Sequence, residues 1–163
     1  MPGFAAGCRR HSGERMSNNE DRRGAAYHEA GHAVVAWALG LQIGDIVIGV
    51  GGDDAKGGTD IARDQAHLCK IDRIAICLAG LEAQEVFQAP IHEFAGARDL
   101  GMVIEIIGQD ASEEQHRELR CAGYRRAREL ILIHEARVVR LATRLVERSE
   151  VKRQEFIDLM QAG

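Results

Sequence analysis

Residues 25–40, AAYHEAGHAVVAWALG, constrain this chain more than any other stretch, because they place three polar groups on a helix with almost no polar face. Ala25, Ala26, Ala30, Ala33, Val34, Val35, Ala36, Ala38 and Leu39 make the segment apolar nearly all round, which predicts a buried helix. Polar groups buried there need partners. His28 and His32 stand four apart and share one helix face, so both imidazoles can enter one coordination sphere. Glu29, one residue round, reaches a water at that site rather than the metal itself. Neutral imidazole suits Zn²⁺, which lowers the pKa of water to about 7 and makes it a usable nucleophile. Glu29 is then placed to take the proton and hand it to a leaving amine. The bland alternative for the same residues is two core histidines paired with a glutamate.

A length of 163 residues suits one domain, or one domain and a tail. Only 4% of residues are aromatic against 45% hydrophobic, so aliphatic side chains must fill the core, which favours close-packed helices over a sandwich. A net charge of -4 gives no global pull toward nucleic acid or an anionic membrane. No apolar stretch approaches the length of a membrane span. Cys8, Cys69, Cys77 and Cys121 are scattered without a Cys-x-x-Cys pair or a preceding secretory signal, which predicts reduced thiols and a cytoplasmic protein. Cys69 and Cys77, eight apart, read as two inward-facing small hydrophobes on one helix.

Along the chain, residues 1–23 are rich in Gly, Ser, Asn, Arg and Glu without apolar periodicity and read as a disordered tail before a domain over 24–161. Gly40 stops the first helix. Ile46, Val47, Ile48 and Val50 mark a strand over 43–50, and the glycine-rich stretch 51–58 leads into a second over 59–62. Lys56 in that loop precedes its glycine and no Gly-Lys-Ser/Thr follows, so a phosphate loop is excluded. Helical periodicity covers 65–88, ended by Pro90, then 98–107, then one long helix over 112–148, and a last short helix over 151–160. The fold class is mainly α with a small β-sheet, an α+β arrangement.

Two histidines leave a catalytic zinc one protein ligand short. Asp60, Asp64, His67, Glu82, Glu85, His92, Glu93 and Asp99 all qualify on chemistry, and spacing does not choose among them. A resemblance does. Ala26-Tyr27-His28-Glu29-Ala30-Gly31-His32-Ala33, then Leu78-Ala79-Gly80 with Glu82-Ala83-Gln84-Glu85-Val86-Phe87, then Gly96-Ala97-Arg98-Asp99-Leu100, resemble the peptidase domain of the FtsH-type ATP-dependent zinc proteases. The end of the chain, residues 144–160, is similar to that family's closing helices. The likeness implies a His28, His32, Asp99 zinc site with Glu29 as base, in a mainly helical zinc metallopeptidase domain. His92-Glu93 replaces the family's Thr-Thr pair in a longer connection, so those two residues stay as substitute ligands.

The family's ATPase module and membrane anchor are not in this sequence. The implied substrates are therefore peptides or unfolded proteins, with a separate ATPase or adaptor as a partner and homo-oligomers as the family's habit. The likeness also places an extended substrate along the strand of Ile46, Val47, Ile48 and Val50, by strand addition, and the alternative for the same residues is a core strand whose edge is covered. Glu82 and Glu85 are candidates to orient a zinc-bound imidazole. His134 falls on the apolar stripe of the long helix and reads as a hydrogen-bonded core histidine. Arginines on that helix interleave with glutamates, as on a solvated, ion-paired face, although a docking surface for an acidic partner fits the same residues. The functional alternatives to a peptidase are a non-catalytic zinc- or peptide-binding regulatory module with the same fold, and an interaction protein working through its basic helix without metal.

Overall fold

The structure, a computed structural model, describes residues 18–49, 57–91 and 96–162. The order is α1 (Asn18–Ala38), β1 (Ile43–Val47), β2 (Gly58–Ile61), α2 (Lys70–Val86), α3 (Ala97–Ile107), α4 (Glu113–Ile133), α5 (Glu135–Arg148), β3 (Glu150–Val151) and α6 (Arg153–Gln161). This is a mainly helical α+β arrangement with one three-stranded antiparallel sheet.

The apolar helix α1 sits in the middle. Ala26, Ala30, Ala33, Val34, Val35 and Ala36 are wholly buried, and α2, α5 and the sheet pack around them. Its small residues let α2 approach closely. A Cβ on Gly31 would strike the carbonyl oxygen of Ala79 and lie 2.7 Å from the Cβ of Ala83. At the other end, Gly40 takes φ +85° and its N–H bonds Trp37 O at 2.9 Å, which stops the helix. At its start α1 is longer than the sequence indicates: residues 18–23, assigned to the tail, are helical. Arg22 and Arg23 explain this, since their guanidinium groups bond Val146 O and the carbonyls of Phe87 and Gln88 at the ends of α5 and α2. Residues 1–17 lie outside the described residues.

The helix expected over 65–88 begins at Lys70, behind an N-cap in which the Cys69 sulfur accepts from the Asp72 N–H. Cys69 is therefore exposed, contrary to its expected inward position, while Cys77 is buried. The long helix expected over 112–148 starts as the sequence indicates, with a capping box between Ser112 and Gln115, but breaks at His134. Its apolar stripe runs through the break without a change of period, since Ala127, Ile131, Val138, Leu141 and Leu145 are all fully buried. The two halves serve different partners, α4 packing on α2 and α5 on α1, and that tertiary demand bends the chain.

Ser149, at φ +64°, ends α5 and turns the chain into β3, a two-residue strand that the sequence did not indicate. The sheet order is β2-β1-β3, so β1 is central. A second, smaller core of Ile74, Cys77, Leu78, Val103 and Ile107 fixes α3 to α2.

The glycines give two stability predictions of opposite sign. Gly31→Ala forces α1 and α2 apart and should cost about 1–3 kcal/mol, a fall in Tm of about 2–4 °C per kcal/mol by circular dichroism. Gly101→Ala, on α3 with nothing within 4 Å of the new methyl group, should instead stabilise by about 0.5–1 kcal/mol.

Candidate metal centre

The polar residues of α1 gather where α1, α2 and the start of α3 meet. His28 Nε2 lies 3.1 Å from Asp99 Oδ2 and 3.1 Å from His32 Nε2, and His32 Nε2 lies 3.4 Å from Asp99 Oδ2. Zinc bonds of about 2.0–2.2 Å in a tetrahedron put ligand atoms about 3.3–3.5 Å apart, so these three atoms already approximate one tetrahedral face. His28, His32 and Asp99 are the one group among the described residues whose donor atoms converge in this way.

What each imidazole does with its other nitrogen fixes the tautomers. His32 Nδ1 lies 2.7 Å from the carbonyl oxygen of Ile76, which can only accept, so Nδ1 carries the hydrogen. His28 Nδ1 lies 3.0 Å from Gln84 Oε1. Gln84, itself buried, spends its NH₂ on Gly24 O at 3.2 Å and Pro90 O at 2.8 Å, so its carbonyl end must face the histidine. Both neutral rings then present lone pairs at Nε2, toward each other and toward a carboxylate. Three acceptors facing one point repel unless a cation or a proton stands between them.

The electrostatics without metal answer the same demand with a proton. Burial would lower the pKa of His32, but the hydrogen bond and charge of Asp99, the charge of Glu29 and the Ile76 carbonyl outweigh it and raise it to about 9. Burial likewise opposes ionisation of Asp99, and hydrogen bonds and charge from His28 and His32 overcome it, holding the carboxyl well below the usual carboxylate range. The residues thus fit a divalent cation held by two imidazole nitrogens and one carboxylate oxygen.

Asp99 is the candidate ligand that the structure brings to the histidines. It lies in the first turn of α3, whose N-cap Gly96 takes φ +78° with no room for a Cβ against Leu81. His92 and Glu93 lie outside the described residues. Glu82 and Glu85 do not orient an imidazole: Glu82 is buried against Arg128 and Glu85 lies 3.1 Å from the same guanidinium. Gln84, between them, takes that role. Its position inside the helix block resembling the peptidase family was the available signal. Gly80, in the same block, has a steric role: a Cβ there would come within 2.5 Å of His32 Nε2 and 2.7 Å of His28 Nδ1, so only glycine leaves the rings their space.

Glu29 stands outside the ligand triangle. Its Oε2 accepts from the Thr59 hydroxyl at 2.7 Å, which ties it to β2 across the mouth of a cleft of about 790 Å³. His28, Glu29, His32 and Asp99 all line that cleft. The strand expected to offer a free edge beside the metal does not do so. Ile46 and Val47 are paired with β2 on one side and β3 on the other, and Ile48 N–H bonds Ser149 O at 2.9 Å. Val50 lies outside the described residues. Among the described strands the unpaired edge on this side belongs to β2.

His134 packs edge-on against Trp37, with ring centroids 5.3 Å apart, and its buried Nδ1 has no hydrogen-bond partner among the described residues, so the expected bonded core histidine is not found there. Two of the five arginines of α4 are ion-paired among the described residues, Arg126 with Asp72 and Glu129 and Arg128 with Glu82 and Glu85, and of these partners only Glu129 is one of the interleaved glutamates that the sequence indicates. No helix among the described residues is long and apolar enough to cross a membrane. No protein-family model matches this chain, and no curated protein matches it.

Two predictions follow from this geometry. Gln84→Leu frees the His28 ring and should lower the affinity of the triad for an added divalent cation about 10–100-fold, read by competition with a chromophoric chelator, with secondary structure retained. Burial and the charge of Asp99 push the Cys77 thiol up to about 11, against a lowering by Arg73. Only about one Cys77 in a thousand is then a thiolate at pH 8. Brief iodoacetamide treatment followed by peptide mapping should label Cys69 and spare Cys77 until the protein is unfolded.

Proposed function

We propose that the protein is a zinc metallopeptidase, similar in its site to the peptidase domain of the FtsH-type proteases, acting on peptides or unfolded proteins. The observation that carries this reading is the convergence of His28 Nε2, His32 Nε2 and Asp99 Oδ2 with both histidine tautomers fixed from behind. Zinc held there supplies a Lewis acid that activates water and polarises the substrate carbonyl.

The chain's own residues do the rest. His28, His32 and Asp99, which line the cleft, would hold the cation. Glu29 takes a proton from the attacking water as oxygen bonds the carbonyl carbon, then delivers that proton to the nitrogen as the C–N bond breaks, leaving a carboxylic acid and an amine, between which the acid's proton then passes to give carboxylate and ammonium. Thr59 keeps the Glu29 carboxylate at the rim and off the cation. The edge of β2, which carries Thr59, replaces β1 as the strand along which an extended substrate adds. The free thiols of Cys69, Cys77 and Cys121 support the cytoplasmic setting that belongs to this reading.

The test pairs metal content with cleavage of a permanently unfolded protein. Wild type should hold one zinc per chain and lose activity to a chelator. Glu29→Gln should keep the zinc and lose about 10²–10⁴-fold in kcat/KM, and His32→Ala should lose both. Zinc present with no cleavage by wild type would leave the regulatory module as the reading, and no zinc at all would overturn both.

A further inference from the structure

The cleft that holds the histidines also collects three arginines from three different segments: Arg63 after β2, Arg73 on α2 and Arg98 on α3. Among the described residues none of the three makes a side-chain hydrogen bond or ion pair. Elsewhere guanidinium groups are used structurally: Arg126 and Arg128 in ion pairs, and Arg22, Arg23, Arg137 and Arg140 on helix-end carbonyls. Arg73 is the most demanding of the three. It is half-buried, and its Nε is shut off from solvent with no acceptor. A guanidinium withdrawn from water without a counter-ion is unfavourable, and the group that answers its planar fork best is a carboxylate.

The cleft's own carboxylates do not supply it. Asp99 is committed to the two histidines and Glu29 to Thr59. Asp60 and Glu105 also line the cleft, but both are exposed and neither is paired with an arginine. We infer that Arg73, with Arg63 and Arg98 at the rim, forms a carboxylate-binding subsite beside the metal centre, so that the peptides this cleft selects carry a negative charge next to the bond to be cut. The inference rests on the peptidase reading and adds a substrate class to it. A free chain terminus and an acidic side chain offer the same group, and the peptides below tell them apart.

The experiment reads binding rather than turnover. Zinc-loaded Glu29→Gln protein is titrated into four fluorescein-labelled decapeptides of one sequence, with a central Glu or Gln and with a free or amidated C-terminus, and anisotropy gives each Kd. At least one carboxylate-bearing peptide should bind about tenfold or more tightly than the uncharged one. Adding Arg73→Gln should abolish that preference while leaving the Kd of the uncharged peptide unchanged, and Arg73→Lys should restore it in part, because charge returns without the fork. Arg63→Gln and Arg98→Gln alter exposed residues and should each reduce the preference up to about threefold even if Arg73 variants fail to fold. Equal Kd values for all four peptides, or a preference unmoved by all of these variants, would overturn the subsite. A failure of wild type to cleave any peptide counts against the peptidase reading alone, since the binding comparison does not depend on turnover.

Discussion

The imidazole nitrogens that α1 carries into the core need partners, and the architecture around the site is the set of answers. His32 Nδ1 is met by a carbonyl of α2, and His28 Nδ1 by a glutamine of α2 whose amide is anchored to Gly24 and Pro90. The two Nε2 atoms are met by Asp99 from α3. An unanswered imidazole nitrogen in this core would cost about 1–3 kcal/mol, comparable to a sizeable part of a domain's whole stability. The helices are therefore placed as strictly by polar satisfaction as by apolar packing.

That satisfaction is possible only because α2 lies unusually close to α1. Gly31 faces the backbone of Ala79, and Gly80 faces the imidazoles, so small residues on both helices make one seam. The seam brings the Ile76 carbonyl within reach of His32, although residue 76 sits inside a helix where carbonyls are ordinarily committed. A carbonyl oxygen has two lone pairs and can serve both partners. The Leu78-Ala79-Gly80 block thus has a steric reason, and the same closeness leaves Cys77 beside the site as a buried thiol rather than a further ligand.

The sequence was most legible where one residue type answers one local requirement. The apolar helix, the stop at Gly40, the start of the long helix at Ser112 and the pairing of imidazoles four apart all follow from local pattern alone. It was least legible where a distant partner decides. The break at His134 leaves no trace in the periodicity, because α4 and α5 bury one continuous stripe against two different helices. The central position of β1 depends on β3, two residues more than a hundred positions away, whose strand character comes from pairing and not from composition. Glutamates at 82 and 85 drew attention as chemistry-bearing residues, yet both serve Arg128. The neutral Gln84 between them does the orienting, because only an amide can accept from an imidazole and donate to two carbonyls at once.

The third ligand differs from the first two in what holds it. The histidines belong to the main core, but Asp99 rides on α3, which is attached through the separate small cluster of Ile74, Cys77, Leu78, Val103 and Ile107. Met102 and Ile104 on the same helix remain exposed, so α3 has little further apolar area with which to strengthen its hold. Its polar attachments are Lys70 Nζ, which reaches the Ile107 carbonyl at 3.5 Å at one end, and the contact of Asp99 with two imidazoles at the other. A cation bound at the triad would replace a shared proton there, and part of its binding free energy would become the free energy of docking α3. Ligand binding and the seating of α3 are in that sense one equilibrium, and the cleft wall that carries Arg98 and Met102 is set by the same contact that completes the site.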